Sequence, residues 1–152
     1  MRSLGPVRGA WRVMAEEYLK RLTGHLPLTW EERPEVRAMP HAGASQDARV
    51  QKAEAERLTQ GLPEGGALWA LDSRGDEPDS EEFARLVEAW RRSEVPVCLL
   101  VGGHLGLDAA LRERCRLLSL SRLTFSHQMV PAFLFEQLYR AQDILSGGPY
   151  HR

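Results

Sequence analysis

The chain has 152 residues, 43% apolar and 27% charged, which is enough for one domain with a full core. Its net charge of −1 excludes a whole-molecule basic field, so any nucleic-acid contact must be local. All the basic residues but Lys20 and Lys52 are arginines, the residue that reads phosphates and base edges bidentately. No apolar run is long enough to span a bilayer, and no signal-peptide pattern is present. Cys98 and Cys115 both sit in apolar stretches and read as buried, reduced thiols of a cytoplasmic protein.

Met1 to Gly5 is short and interrupted by Arg2 and Ser3, which suits a brief edge strand. Trp11 to Leu22 carries Trp11, Met14, Ala15, Tyr18, Leu19 and Leu22 at spacings of three and four, a helix ended by Gly24. Leu26, Leu28 and Trp30 alternate, predicting a strand from Leu26 to Arg33 that Pro34 stops. Pro40 to Ser45 reads as loop, and His25 and His41 as surface loop residues. Gln46 to Leu62 is charged with a thin stripe of Val50, Ala53, Leu58 and Leu62, a helix lying on the surface.

ALWALD, from Ala67 to Asp72, is a buried strand, and Ser73 to Asp79 a polar loop. Asp79 or Ser80 caps a helix reaching about Arg92, with Phe83, Leu86, Val87 and Trp90 on its buried face. VPVCLLVGGHLG, from Val95 to Gly106, is the stretch the chain is organised around. It has no polar alternation, so both faces should be covered, as in a central strand of a mostly parallel sheet. Gly102, Gly103 and Gly106 then end it. Glycines there let backbone N–H groups approach a ligand, and open α/β sheets bind ligands at that edge. A helix from Asp108 to about Leu117 and a strand from Ser119 to Phe125 follow. The last helix, capped by Ser126, reaches about Leu145 and is apolar on more than one face, which favours a dimer interface. Alternating strands and helices predict an α/β sandwich around a parallel sheet.

Three pieces stand in order: LWALDSRG followed by SEEFA; LLVGGHLGL; and LSLSRLTFSHQMV running into EQLYRAQDIL and a terminal PYHR. Together they resemble the RlmH family of SPOUT-class RNA methyltransferases. The resemblance covers nearly the whole chain and is strongest from Leu68 to Arg152. It implies an α/β knot, with a mostly parallel sheet and a C-terminal trefoil knot, in a single domain over residues 1–152. It implies a homodimer that binds S-adenosylmethionine in the knot. The implied reaction methylates N3 of a pseudouridine in helix 69 of 23S ribosomal RNA, with the assembled 70S ribosome as substrate. Neither membrane nor metal is implied.

Carried over residue by residue, the resemblance implies a cofactor site of Leu71, Gly102, Gly103 and the loop Leu120, Ser121, Arg122, Leu123, Thr124 and Phe125. Two departures touch the substrate side: Ser126 stands where the family usually has proline, and Pro131 where it usually has arginine. The N-terminal strand is also shorter and more polar than the family's. Methyl transfer to an imide nitrogen needs alignment of donor and acceptor and removal of one proton. His127, His151, Arg140 and Arg152 are the candidates, with Tyr150 able to stack on the base. Tyr150, His151, Arg152 and Arg140 are the expected catalytic set, brought over the pocket by a bend at Gly147, Gly148 and Pro149. His104 lies in the glycine turn. Arg112, Arg114, Arg116 and Arg122 are the expected RNA contacts, Arg112 and Arg116 sharing a helix face. The competing readings are a non-catalytic ribosome- or RNA-binding module and an α/β nucleotide-binding protein with another ligand.

Overall fold

A computed structural model describes residues 1–37 and 43–152, so the expectations for Pro40–Ala42 and His41 lie outside the described residues. Its sheet has five strands, all parallel, in the order β2-β1-β4-β3-β5. These are β1 (Arg2–Leu4), β2 (Glu31–Arg33), β3 (Ala67–Asp76), β4 (Val97–Val101) and β5 (Arg116–Leu118). The helices are α1 (Gly9–Leu22), α2 (Ala44–Thr59), α3 (Ser80–Arg92), α4 (Ala109–Glu113) and α5 (Val130–Ser146). Among the described residues no helix is long and apolar enough to cross a membrane.

The unbroken apolar run of β4 takes the central place, with Cys98, Leu99, Leu100 and Val101 all buried. β1 is an interior strand, between β2 and β4, contrary to the edge expected of it. Its polar residues are accommodated by specific partners. Arg2 donates to Leu58 O and Gln60 O, both at 2.9 Å, closing the C-terminal turn of α2 where carbonyls lack helical partners. Ser3 Oγ accepts from Trp30 Nε1 at 2.9 Å.

The larger core layer sits where α1, α3 and α5 cover one face of the sheet, with Phe135, Leu134, Leu138 and Val87 at its centre. On the other face Leu4, Leu58, Ala70, Leu100, Leu107 and Leu111 pack together. α3 begins on a full capping box. Asp79 Oδ1 accepts from Glu82 N at 2.8 Å, and Glu82 Oε2 accepts from Asp79 N at 3.0 Å.

Several boundaries differ from expectation, each for a local reason. The strand at Leu26–Arg33 shrinks to Glu31–Arg33, because only those residues find β1 as a neighbour. β3 runs through the expected loop to Asp76, with a bulge between Leu71 and Asp76 against Leu118. The helix expected from Asp108 to Leu117 ends at Glu113, and Arg116–Leu118 becomes the edge strand. Arg112 and Arg116 therefore share no helix face. Residues 119–129 form an irregular segment in place of a strand. Ser126 does not cap α5, whose N-cap is Met129, and Pro131 falls in its first turn, where a missing N–H costs no helical bond. Most of the apolar surface of α5 is covered by α1 and α3 of its own chain, while Val130, Phe133, Tyr139, Ile144 and Leu145 stay partly exposed.

Candidate cofactor cavity and catalytic tail

The C-terminal ends of β3 and β4 open into a cavity of about 550 Å³. Its walls come from three segments: residues 71–74 after the core of β3, the glycine turn 101–107 after β4, and the late segment 118–127, with Val130 at the start of α5. The volume lies within the range of cofactor sites. Of the predicted cofactor residues, Leu71, Gly102, Gly103, Leu120, Ser121, Leu123, Thr124 and Phe125 all line it. Arg122 does not: its side chain is 91% exposed and reaches Glu77 at 3.8 Å.

The late segment holds its shape through its own hydroxyls. Ser119 Oγ donates to Ser121 O at 2.9 Å, and Ser121 Oγ accepts from Leu123 N at 3.1 Å. The glycine turn closes with Gly106 N donating to Gly103 O at 3.0 Å. A Cβ on Gly102 would press Leu107 Cγ at 3.1 Å, and one on Gly103 would stand 2.8 Å from Glu54 Oε2. Both positions are thus glycine because the turn packs tightly on its own chain, not only because a ligand must approach.

Arg112, predicted as an RNA contact, is a brace of the cavity instead. It donates to Asp72 Oδ2 at 3.1 Å and to Leu107 O at 2.6 Å, tying the end of β3 to the glycine turn. Arg74 takes the other oxygen of Asp72 at 3.0 Å. Burial alone would raise the Asp72 carboxyl, but the Arg74 hydrogen bonds and the two guanidinium charges hold it below its ordinary value. Arg116 lies over the Trp69 ring at 5.5 Å, and Arg114 stays exposed.

Among the described residues, two polar atoms near the cavity are buried without a partner: His127 Nε2, on a residue that lines it, and Glu54 Oε2, behind Gly103. Unspent buried hydrogen-bonding capacity beside a shaped, largely apolar cavity is what a polar ligand completes. The cavity therefore fits a nucleoside-type cofactor. His104, exposed on the glycine turn, also lines it.

The predicted catalytic residues gather elsewhere. Tyr150 O–H donates to Glu136 Oε1 at 3.0 Å and lies 3.0 Å from Tyr18 Oη. Arg140 donates to the same Glu136 oxygen at 2.7 Å, sits over the Tyr150 ring at 4.8 Å, and approaches His151 Nδ1 at 3.5 Å. Asp143 Oδ2 accepts from Tyr150 N and His151 N, at 2.9 and 3.1 Å, folding the tail back on α5. A Cβ on Gly148 would overlap Asp143 Oδ1, so the bend requires glycine there. Arg152 stays exposed, its Nε on Pro149 O at 3.1 Å. None of Arg140, Tyr150, His151 and Arg152 lines the cavity. Val130 does, and the ten residues from there to Arg140 span about 15 Å of helix. The bend therefore does not return the tail over the cavity of its own chain, one of the two arrangements that the sequence left open. Sequence reasoning missed Glu136 and Tyr18, which organise this cluster, and Glu54.

A parallel α/β sheet, covered by helices on both faces and with a cavity at its carboxyl edge closed by a late loop, places the chain in the class of doubly covered α/β proteins that take ligands at that edge. The chain matches, over residues 4–151, the family described as "Predicted SPOUT methyltransferase", and it belongs to that family. Relatives named "Ribosomal RNA large subunit methyltransferase H" are similar along almost their whole length. That of Bordetella pertussis is 41% identical over 149 residues, 97% of this chain and 91% of its own. That of Pelobacter propionicus is 41% identical over 150 residues, 97% and 95% of the two chains. That of Acetivibrio thermocellus is 41% identical over 138 residues, 90% and 87%.

Proposed function

We propose that this chain methylates N3 of a pseudouridine in helix 69 of 23S ribosomal RNA, using S-adenosylmethionine and acting on the assembled 70S ribosome in the cytoplasm. The observation that carries the reading is the cavity at the ends of β3 and β4, walled by the late segment, in a chain of this family. The α/β knot is part of the proposal: the segment 119–129 is the threaded stretch that closes the cavity.

When bound, the cofactor supplies an electrophilic methyl group on a cationic sulfur. The backbone of Gly102 and Gly103 and the apolar side chains of Leu71, Leu120, Leu123 and Phe125 would hold its adenosine in this cavity. His127 offers its unpartnered Nε2 as one hydrogen bond to the bound molecules. The imide nitrogen must lose its proton at or before attack, and His151 takes it. A guanidinium only donates, so Nδ1 is the ring nitrogen that carries the lone pair toward Arg140. At 3.5 Å that contact is long enough for a substrate N–H to replace it. Arg140 and Arg152 offset charge on the imidate oxygen, and the Tyr150 ring stacks on the base.

Because the tail lies along α5, the site is completed by a second copy whose tail covers this cavity. Half-buried Phe133 meets Trp11 at 5.9 Å and Phe125 at 5.2 Å, with tilted rings, beside the mouth that Leu123, 71% exposed, also lines. That apolar patch is the surface proposed for the homodimer. RNA contact falls to the exposed Arg114 and Arg122 and to Arg152.

The deciding experiment supplies labelled S-adenosylmethionine to assembled ribosomes and to naked ribosomal RNA, and maps the methyl group. Transfer to the pseudouridine in ribosomes alone supports the reading. Ribosome binding without transfer would replace it with a non-catalytic binding module.

A further inference from the structure

We infer that Glu54 determines specificity for a cationic ligand in the cavity: its carboxylate favours a sulfonium donor over the neutral sulfide left after transfer. The inference rests on the cofactor reading above. Glu54 continues the stripe of Val50 and Leu58 at four-residue spacing on α2, and it is 1% exposed. An apolar residue would pack there without burying an unpaired charge, so the carboxylate is poorly explained by packing alone.

Its surroundings show where its charge acts. Oε1 accepts from Val36 N at 3.0 Å, whereas Oε2 has no partner among the described residues. Oε2 stands against Gly103, 2.8 Å from where a Cβ would be, and Gly103 is a wall of the cavity. The carboxylate is therefore separated from a bound ligand by a single residue that has no side chain. One helical turn earlier, Gln51 donates to Leu105 O at 2.6 Å, so α2 grips the glycine turn at two points. The other carboxylate of the cavity, Asp72, is occupied by Arg74 and Arg112. Glu54 has no basic partner among the described residues.

Methyl transfer removes one positive charge from the ligand, because the electron pair of the broken carbon–sulfur bond stays on sulfur. The remainder of donor and product is the same. A carboxylate behind a wall one glycine thick thus acts on the difference between them, holding the cationic donor and easing release of the neutral product.

The test is calorimetric and needs no turnover. Wild type, Glu54→Gln and Glu54→Asp are titrated with S-adenosylmethionine, S-adenosylhomocysteine, and an analogue with an amine in place of the sulfonium. Glu54→Gln keeps the shape and the bond to Val36, and should weaken both cationic ligands about tenfold and the sulfide less than about twofold. Glu54→Asp should keep the preference. If the glutamine variant does not fold, Glu54→Asn against Glu54→Asp repeats the comparison with a shorter side chain. Equal losses for all three ligands, or none, would make Glu54 a mere brace of the turn and overturn the inference alone. A wild type that bound none of them would overturn the cofactor reading with it.

Discussion

The cavity and the tail cluster are both polar sites at the margins of one core, yet they are built in opposite ways. Around the cavity the chain leaves buried groups unspent: His127 Nε2 and Glu54 Oε2 have no partner among the described residues. In the tail almost every polar group is already matched. The Tyr150 hydroxyl, the Glu136 carboxylate, the Arg140 guanidinium and the backbone of Tyr150 and His151 bond one another or Asp143. A site with free bonding capacity gains by receiving a ligand. A site that is internally satisfied gains by staying fixed, which suits the role proposed for the tail, presentation of its groups to the cavity of a second copy.

The widest separation between the two comes from removing the tail imidazole. His151→Ala should lower methyl transfer by about 10²- to 10⁴-fold while leaving the dissociation constant for S-adenosylmethionine within about threefold. Initial rates on ribosomes and calorimetry on the same preparation check both halves. A matching loss of cofactor affinity would show that the imidazole helps to hold the cofactor, not only to take the proton.

Mixing protomers comes next. Gly102→Val should close the cavity, since even one added carbon there meets Leu107 and Gly106. Neither it nor His151→Ala should be active alone. If the tail serves the other subunit, the mixed dimer has one complete site, and a statistical mixture should recover about a quarter of wild-type activity. A tail that served its own cavity would recover none.

How much of this was legible beforehand follows the same division. The central strand, its glycine turn and the late loop are continuous stretches, so their residues were readable in order; all the residues proposed there but Arg122 line the cavity, although the strand expected from Ser119 to Phe125 is an irregular segment. What failed were assignments that depend on a neighbour distant in sequence. β1 looks like an edge because Arg2 and Ser3 are polar, and only the carbonyls of α2 and the Trp30 indole make it an interior strand. Arg112 looks like a free base on a helix until Asp72, forty residues earlier, is placed beside it. Glu54 left a trace in the sequence: a carboxylate at the four-residue spacing of Val50 and Leu58 sits on the buried stripe, not the solvated face.

The Asp72–Arg112 brace gives a smaller, graded effect on the cavity side. Arg112→Leu removes two bonds between β3 and the glycine turn and should cost about 1–2 kcal/mol of stability, with a several-fold loss of cofactor affinity. Denaturant titration and calorimetry measure the two. The Asp72 carboxyl is held below its ordinary value of 3.8, so its contribution is present above that pH. It is lost as the pH falls through 3.8 to the lower folded value. The stability gap between wild type and Asp72→Asn should accordingly be full at neutral pH and shrink in that acid range. A gap unchanged by acid would mean that the pair is not ionised in the fold.

The least effect belongs to the tail cluster's outer member. Tyr18 contributes only its hydroxyl to Tyr150, at 3.0 Å, while Glu136 and Arg140 remain. Burial and the bonds to Tyr18 and Glu136 push the Tyr150 phenol above its ordinary value. Tyr18→Phe should therefore cost about 0.5–1.5 kcal/mol or less and shift the alkaline titration of Tyr150 downward, toward that value, followed by ultraviolet difference spectra. Cofactor affinity should not change, because nothing in this cluster lines the cavity. Methyl transfer should fall modestly, because a looser Tyr150 frees the neighbouring imidazole from its aim. A variant that lost cofactor binding would show that the two regions are coupled through α5, and the contrast between an unsatisfied receiving site and a satisfied delivering one would no longer hold.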